Sequence, residues 1–193
     1  MRRDLQEGAC AAFSFALGLD FHSQSNFFCR FYMKLAWIKA ILALPFNATI
    51  TIPFVILYFT DALSLSERSL FVFLALVLFF AGFSLALWTM LLFANIGKGT
   101  LAPWNPTKKL VVVGPYAHVR NPMLSGVITM IFGEALLFSS WGVFIWGVSF
   151  FAINSVYFIY SEEPGLERRF GKEYLQYKRN VPRWIPRVDR WKP

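Results

Sequence analysis

Glu162 and Glu163 stand side by side where a long apolar run gives way to a basic tail. Arg120 sits in a polar turn between two apolar blocks, Gly114-Pro115-Tyr116-Ala117-His118-Val119-Arg120-Asn121-Pro122-Met123-Leu124. A carboxylate at such a boundary can hold a cationic group, and an arginine can hold a carboxylate or a headgroup. The Gly-Pro pair punctuates a loop, while Asn121 suits a helix cap and Pro122 the first helical position. Unbonded backbone N–H groups and a cation therefore gather at one helix start, an arrangement suited to a polar ligand. Tyr116 and Arg120 beside that start suit clamping an adenine or a carboxylate. At α-helical spacing Asn154, Tyr157, Ser161 and Glu162 share one face. A polar track would then lead from the carboxylate into the apolar segment, as polar groups at depth face the protein interior or a cavity.

Other candidates carry less. Gly97-Lys98-Gly99-Thr100-Leu101-Ala102 matches a dinucleotide fingerprint, but an apolar helix precedes it and no βαβ unit surrounds it. Gly97 and Gly99 keep one use, letting backbone approach a ligand. Glu134 lies inside an apolar segment near its outer end and reads as a structural, hydrogen-bonded carboxyl. His118 and His22 are the only histidines, and Cys10 and Cys29 have no metal-ligand spacing, so no metal site is expected.

The 193 residues are 56% hydrophobic and include 22 Phe and 7 Trp, grouped in long blocks, which indicates an integral membrane protein. The net charge is +8, and the basic residues flank the apolar blocks. Contact with anionic lipid headgroups explains that placement without nucleic acid. No obligate protein partner is evident.

The elements that must position these groups follow in order. Residues 1–32 form a leader, interfacial or poorly ordered, and residues 33–94 a helical hairpin. Residues 40–60 run for 21 positions without a charge, interrupted by Pro45 and Pro53, and residues 69–94 form a second, longer span. Residues 95–193 form the catalytic half. It opens with a basic central loop, 95–121, followed by spans at 122–138 and 141–160 joined by Ser139-Ser140. Gly126, Thr129 and Gly133 give the third span a small-residue face for close packing. In the tail, Leu166, Phe170, Tyr174 and Tyr177 line one face of an amphipathic helix, and 181–186 ends the folded part. The expected fold is all-α, a polytopic bundle of about four spans with a cytoplasmic C-terminal amphipathic helix. Basic residues before span one, in the central loop and in the tail place both termini and the active site in the cytoplasm.

Gly114-x-Tyr116-x-x-x-Arg120-Asn121-Pro122-Met123, then Glu162-Glu163-Pro164, then Phe170-Gly171-x-x-Tyr174-x-x-Tyr177-x-x-x-Val181-Pro182 resembles the isoprenylcysteine carboxyl methyltransferase and phospholipid methyltransferase superfamily. These are membrane enzymes that use S-adenosylmethionine. The resemblance implies a cofactor at the cytoplasmic face, held by Gly97 and Gly99 of the central loop, Tyr116, the Asn121, Pro122, Met123 and Leu124 turn, and Glu162 with Glu163. It implies catalytic roles for Arg120 and Glu162, and an acceptor near Asn154, Tyr157 and Phe158. The carboxyl methyltransferases carry His where this chain has Asn121, and Arg where it has Phe158. Loss of that Arg removes the partner of a carboxylate acceptor, and Glu-Glu-Pro leans towards the phospholipid branch.

The expected activity is methyl transfer from S-adenosylmethionine to a lipophilic acceptor. Two alternatives stay open: an NADPH-dependent sterol or isoprenoid double-bond reductase of similar architecture, and a non-catalytic lipid-binding membrane protein.

Overall fold

Proline sets the local form of two of the helices. The computed structural model describes residues 42–66, 68–97 and 109–192. The leader, Gly99 and the proline-rich part of the central loop lie outside the described residues. Helix α1 begins as a π-helix, Leu42–Thr51, and continues as α-helix over Ile52–Phe59. In the wider π register the carbonyl of Ala48 would look to the N–H of residue 53, but Pro53 has none. The Trp146 indole N–H donates to that carbonyl instead, at 2.9 Å. Thr49 Oγ1 donates to the Pro45 carbonyl at 2.8 Å. The indole thus satisfies the carbonyl that Pro53 has left without a backbone donor, as apolar surroundings demand.

A second π turn lies just before Pro164. Pro164 suits a helix start by its fixed φ, yet the chain is helical without a break from Trp141 to Phe170. Helix α4, Trp141–Tyr157, passes through a π turn, Phe158–Glu162, into α5, Glu163–Phe170. There the Glu163 N–H donates to the Phe158 carbonyl, five residues back. The extra residue in that turn shifts the helix face, which matters for the polar track considered below.

Helices α2, Ser69–Leu92, and α3, Pro122–Leu137, make the most extensive contact among the described elements. A Cβ built on Gly82 would lie 2.5 Å from the Gly126 carbonyl oxygen, and one on Gly126 would lie 2.7 Å from that of Gly82. One on Gly133 would lie 3.0 Å from the Ala75 oxygen. Only glycine permits this approach. Gly126 and Gly133 therefore pack as their spacing predicts, against a matching α2 face of Ala75, Gly82 and Ala86. Thr129 turns its hydroxyl back to the Ser125 carbonyl. Helix α1 packs on α3 and α4, so α3 sits between the other apolar helices and is the most buried of them. Ala48, Leu57, Val127, Ile131, Ala135 and Val143 form the core between them.

Every regular element among the described residues is helical. Ser69–Leu92 and the continuous Trp141–Phe170 are long and apolar enough to cross a membrane; Pro45–Phe59 and Pro122–Leu137 are shorter apolar helices. Leu70, Phe73, Phe80, Phe83, Ile145 and Ile153 all face outward. A surface this apolar associates with membrane.

The tail differs from the single amphipathic helix expected. Gly171, at φ 54°, breaks it into α5 and α6, Lys172–Asn180. Tyr174, Tyr177 and Val181 bury together against Leu110, Val112, Leu166, Phe170 and Trp191. The apolar face is spent on the protein itself. Nor does the folded part end at residue 186, because the chain stays paired as far as Trp191.

Candidate active site

The polar turn is built as a 3₁₀ segment, Gly114–Ala117, entered through Gly114 at φ 59°. A side chain at 114 would also meet Leu92 Cδ1 at 3.0 Å, so backbone angle and close approach both demand glycine. Tyr116 is buried, its ring 5.7 Å from that of Phe93. The Tyr177 hydroxyl donates to the Tyr116 carbonyl at 2.7 Å.

The tail closes over this turn. The Arg120 N–H donates to the Pro182 carbonyl at 2.9 Å, and the Trp191 N–H to that of Ala117 at 3.1 Å. Between them, the Arg187 N–H donates to the His118 carbonyl at 3.0 Å, and His118 Nδ1 lies 2.9 Å from the Arg187 carbonyl oxygen.

Glu163 anchors the same end. Its carboxylate, only 6% exposed, takes Arg120 Nη1 at 2.9 Å, Arg183 Nη2 at 2.7 Å and Lys178 Nζ at 3.1 Å. Turn, helix α6 and tail are thus gathered on one buried anion. Hydrogen bonds to Glu167 and Glu163 hold the Lys178 ammonium above its usual range. Burial pushes the Tyr174 phenol up to about 12, with the Glu163 charge adding and the Arg120 charge opposing.

Glu162 behaves differently. The apolar part of its helix ends at Tyr160, so Glu162 lies beyond it. No hydrogen bond or ion pair engages Glu162 among the described residues. Its carboxyl is pushed up to about 7, by burial first and then by the Glu163 charge, with Arg169 opposing. Its charge reaches the Tyr116 hydroxyl, which is held above the ordinary phenol range by burial first, then Tyr177, then Glu162.

Asn121 occupies the cap position of α3, but its side chain makes no cap bond. Its backbone, at φ −121° and ψ 55°, departs from the extended geometry that supports such a cap. The Asn121 carbonyl instead accepts both the Ser125 N–H and hydroxyl. Pro122 has no N–H, so the Met123 and Leu124 N–H groups begin the helix without a side-chain cap. One end of the molecule therefore holds a carboxyl with no partner among the described residues, an aromatic wall and uncapped donors, a set that complements a ligand carrying both charges.

The family model for phospholipid methyltransferase matches residues 70–173. This chain belongs to the phospholipid methyltransferase family. No curated protein matches it. The match runs from the start of α2 to the start of α6, taking in the turn and both glutamates. It stops short of Lys178, Arg183 and the docked tail.

Within this member of the family, Gly97 ends the π turn Phe93–Gly97 that extends α2. Tyr116, Asn121, Pro122, Met123, Leu124, Glu162 and Glu163 gather at one end with Arg120. The substrate set divides. Asn154 is half-buried and donates to the Phe150 carbonyl at 2.8 Å. Tyr157 and Ser161 are exposed, whereas Phe158 is buried with its ring 5.9 Å from Trp184. The expected polar track is thus corrected: Phe158 points inward below Asn154, and Tyr157 and Ser161 face out.

Sequence reasoning missed Lys178 and Arg183 as partners of Glu163. The signal was the carboxyl itself, since a buried acid needs nearby cations. It also missed a cavity of about 640 Å³ between α2, the turn and the tail. Leu85, Trp88, His118, Ser125, Trp184 and Arg190 contribute to its lining. Its parts are too far apart in sequence to form a motif.

Proposed function

We propose that this phospholipid methyltransferase is a four-span membrane enzyme that moves a methyl group from S-adenosylmethionine to a lipid acceptor. Its central loop, tail and site face the cytoplasm. The observation that carries the reading is the division of labour between adjacent carboxyls. Glu163 is consumed by Arg120, Lys178 and Arg183, while Glu162 has no partner among the described residues and its charge is felt at Tyr116.

The residues fit the cofactor. Glu162 suits its ammonium, the uncapped Met123 and Leu124 N–H groups suit its carboxylate, and Tyr116 supplies an aromatic wall. Gly97 and Gly99 allow backbone to approach it from the central loop. When bound, the cofactor supplies a methyl group activated on a sulfonium. The protein's part is to align the partners and exclude water. Arg120 serves this by position: with its guanidinium on Glu163, it fixes the turn relative to α5 rather than touching the reacting atoms.

A phospholipid amine is the acceptor class best supported. Phe158 is an apolar wall against Trp184 and offers a carboxylate acceptor no cation. Purified protein should bind S-adenosylmethionine with micromolar affinity, and Glu162→Gln should weaken it. Incubation with the labelled cofactor and a total lipid extract should label one lipid class. No cofactor binding in either detergent or lipid would overturn this reading.

A further inference from the structure

We propose that the cavity between α2, the turn and the tail holds the acceptor phospholipid, and that His118 Nε2 receives the proton its ammonium must lose. This rests on the methyltransferase reading and assigns the acceptor half of its site.

Shape and chemistry both point to an amphiphile. A volume of about 640 Å³ falls within the range of small-molecule sites, and the walls are almost wholly apolar. Leu85 and Trp88 of α2 form one side and Trp184 of the tail contributes to another. Trp88 is also 54% exposed on the outer surface of α2, so the cavity borders the face that lipid covers. An acyl chain can enter from there without crossing water.

The polar equipment is small and specific. Among the lining residues only His118 and Arg190 are charged or titratable; α2 contributes Leu85 and Trp88 and α3 contributes Pro122 and Ser125, all without charge. The Arg187 side chain is turned away, its Nη1 donating to the Asn180 carbonyl. Arg190 is exposed and offers its guanidinium to a phosphate. The state of His118 follows from its partner. Nδ1 lies 2.9 Å from a carbonyl oxygen, which can only accept, so Nδ1 carries the hydrogen. In the neutral ring Nε2 then keeps its lone pair and is the nitrogen left for a ligand. Apolar walls, a cation for the phosphate and a base for the ammonium together describe an amine-headgroup phospholipid.

The proposed step is a proton transfer. The N–H bond of the ammonium breaks, its electron pair stays on the amine nitrogen, and the proton goes to Nε2 to give an imidazolium. The amine gains the lone pair that methylation consumes. The tail loop through Arg187 holds the ring in the required tautomer, which explains why the two residues pair in both directions.

The test uses the full chain in nanodiscs. A phosphatidylethanolamine carrying a photoreactive acyl chain should label peptides containing Leu85, Trp88 and Trp184 more strongly than a diacylglycerol probe does. Arg190→Glu, an exposed change that leaves packing intact, should reduce that labelling about tenfold. Equal labelling by both probes, or labelling indifferent to Arg190→Glu, overturns the site. For the proton step, His118→Asn keeps a donor for the Arg187 carbonyl but removes Nε2. Methyl transfer at pH 7 should fall roughly 100-fold. It should recover as the pH approaches the amine's own range, with cofactor affinity unchanged. A His118→Asn enzyme with the wild-type pH profile overturns the role. Wild-type protein that binds no S-adenosylmethionine refutes the methyltransferase reading and the proton step with it. Lipid labelling needs no cofactor and stands or falls alone.

Discussion

Arg120 and Glu163 meet at 2.9 Å across 43 positions of chain, tying the polar turn before α3 to the end of the long helix α4–α5. Both groups are largely buried, at 12% and 6% side-chain exposure. The pair matters more as a spatial constraint than as a source of stability, because desolvation offsets much of the attraction between buried ions. Breaking it from one side is another matter. Glu163→Gln leaves Arg120 buried beside a neutral group and should destabilise the protein by about 3 kcal/mol. Lys178→Ala removes a partner that is 36% exposed and should cost well under about 1 kcal/mol. Thermal unfolding in detergent, run on both variants, checks the contrast; equal losses would contradict the assignment of Arg120 as the buried partner.

Glu162 should make cofactor affinity depend on pH. Its carboxyl titrates at about 7 because it is buried, above the ordinary 4.5. The cation it is proposed to hold needs the ionised form, so affinity should rise as pH increases through 7. Below that pH, binding should release a proton. The stability effect has the opposite sign: the raised value favours the protonated fold below about 4.5, and that contribution fades as pH rises from there through 7. Titration calorimetry in two buffers of different ionisation enthalpy measures the proton release. Glu162→Gln should bind roughly 10- to 100-fold more weakly, with a flat pH profile.

The α2–α3 contact should not tolerate a methyl group. At Gly82 a Cβ would fall 2.5 Å from the Gly126 carbonyl, and backbone cannot swing aside as a flexible side chain can. Gly82→Ala should cost about 1–3 kcal/mol, and Gly82→Val should lose the folded monomer. Size-exclusion profiles in detergent report both. Gly165→Ala is the control, since nothing lies within 4 Å of a Cβ placed there.

Trp146 should be sensitive to loss of one hydrogen. Trp146→Phe retains most of the ring's packing but leaves the Ala48 carbonyl without its donor. The expected cost is about 1–3 kcal/mol, the penalty for an unsatisfied buried acceptor. The same change combined with Pro53→Ala should cost less than the sum of the two, because alanine at 53 restores an N–H. A double-mutant cycle measures that coupling.

Much about this protein was legible before any coordinates. Uncharged apolar runs, their length and the basic residues flanking them specify membrane helices, because hydrocarbon admits few other structures. Gly126 and Gly133 announced a close helix contact, and Pro122 a helix start. The Gly114-Pro115 pair marked the polar turn as a loop. The ordered motif from Gly114 to Pro182 pointed to the methyltransferases, and the family match bears that out. Such features are local or periodic, so neighbouring residues are enough to write them.

Tertiary structure decided the rest. The two glutamates look alike in sequence; only the fold brings Arg120, Lys178 and Arg183 to Glu163 and leaves Glu162 without a partner among the described residues. The face presented by residues 158–162 depended on a π turn, whose wider register is invisible to a count that assumes 3.6 residues per turn. The cavity beside His118 joins α2, the turn and a tail about a hundred residues downstream of α2. Its chemistry resides in the distance between segments, and a linear pattern carries no distances.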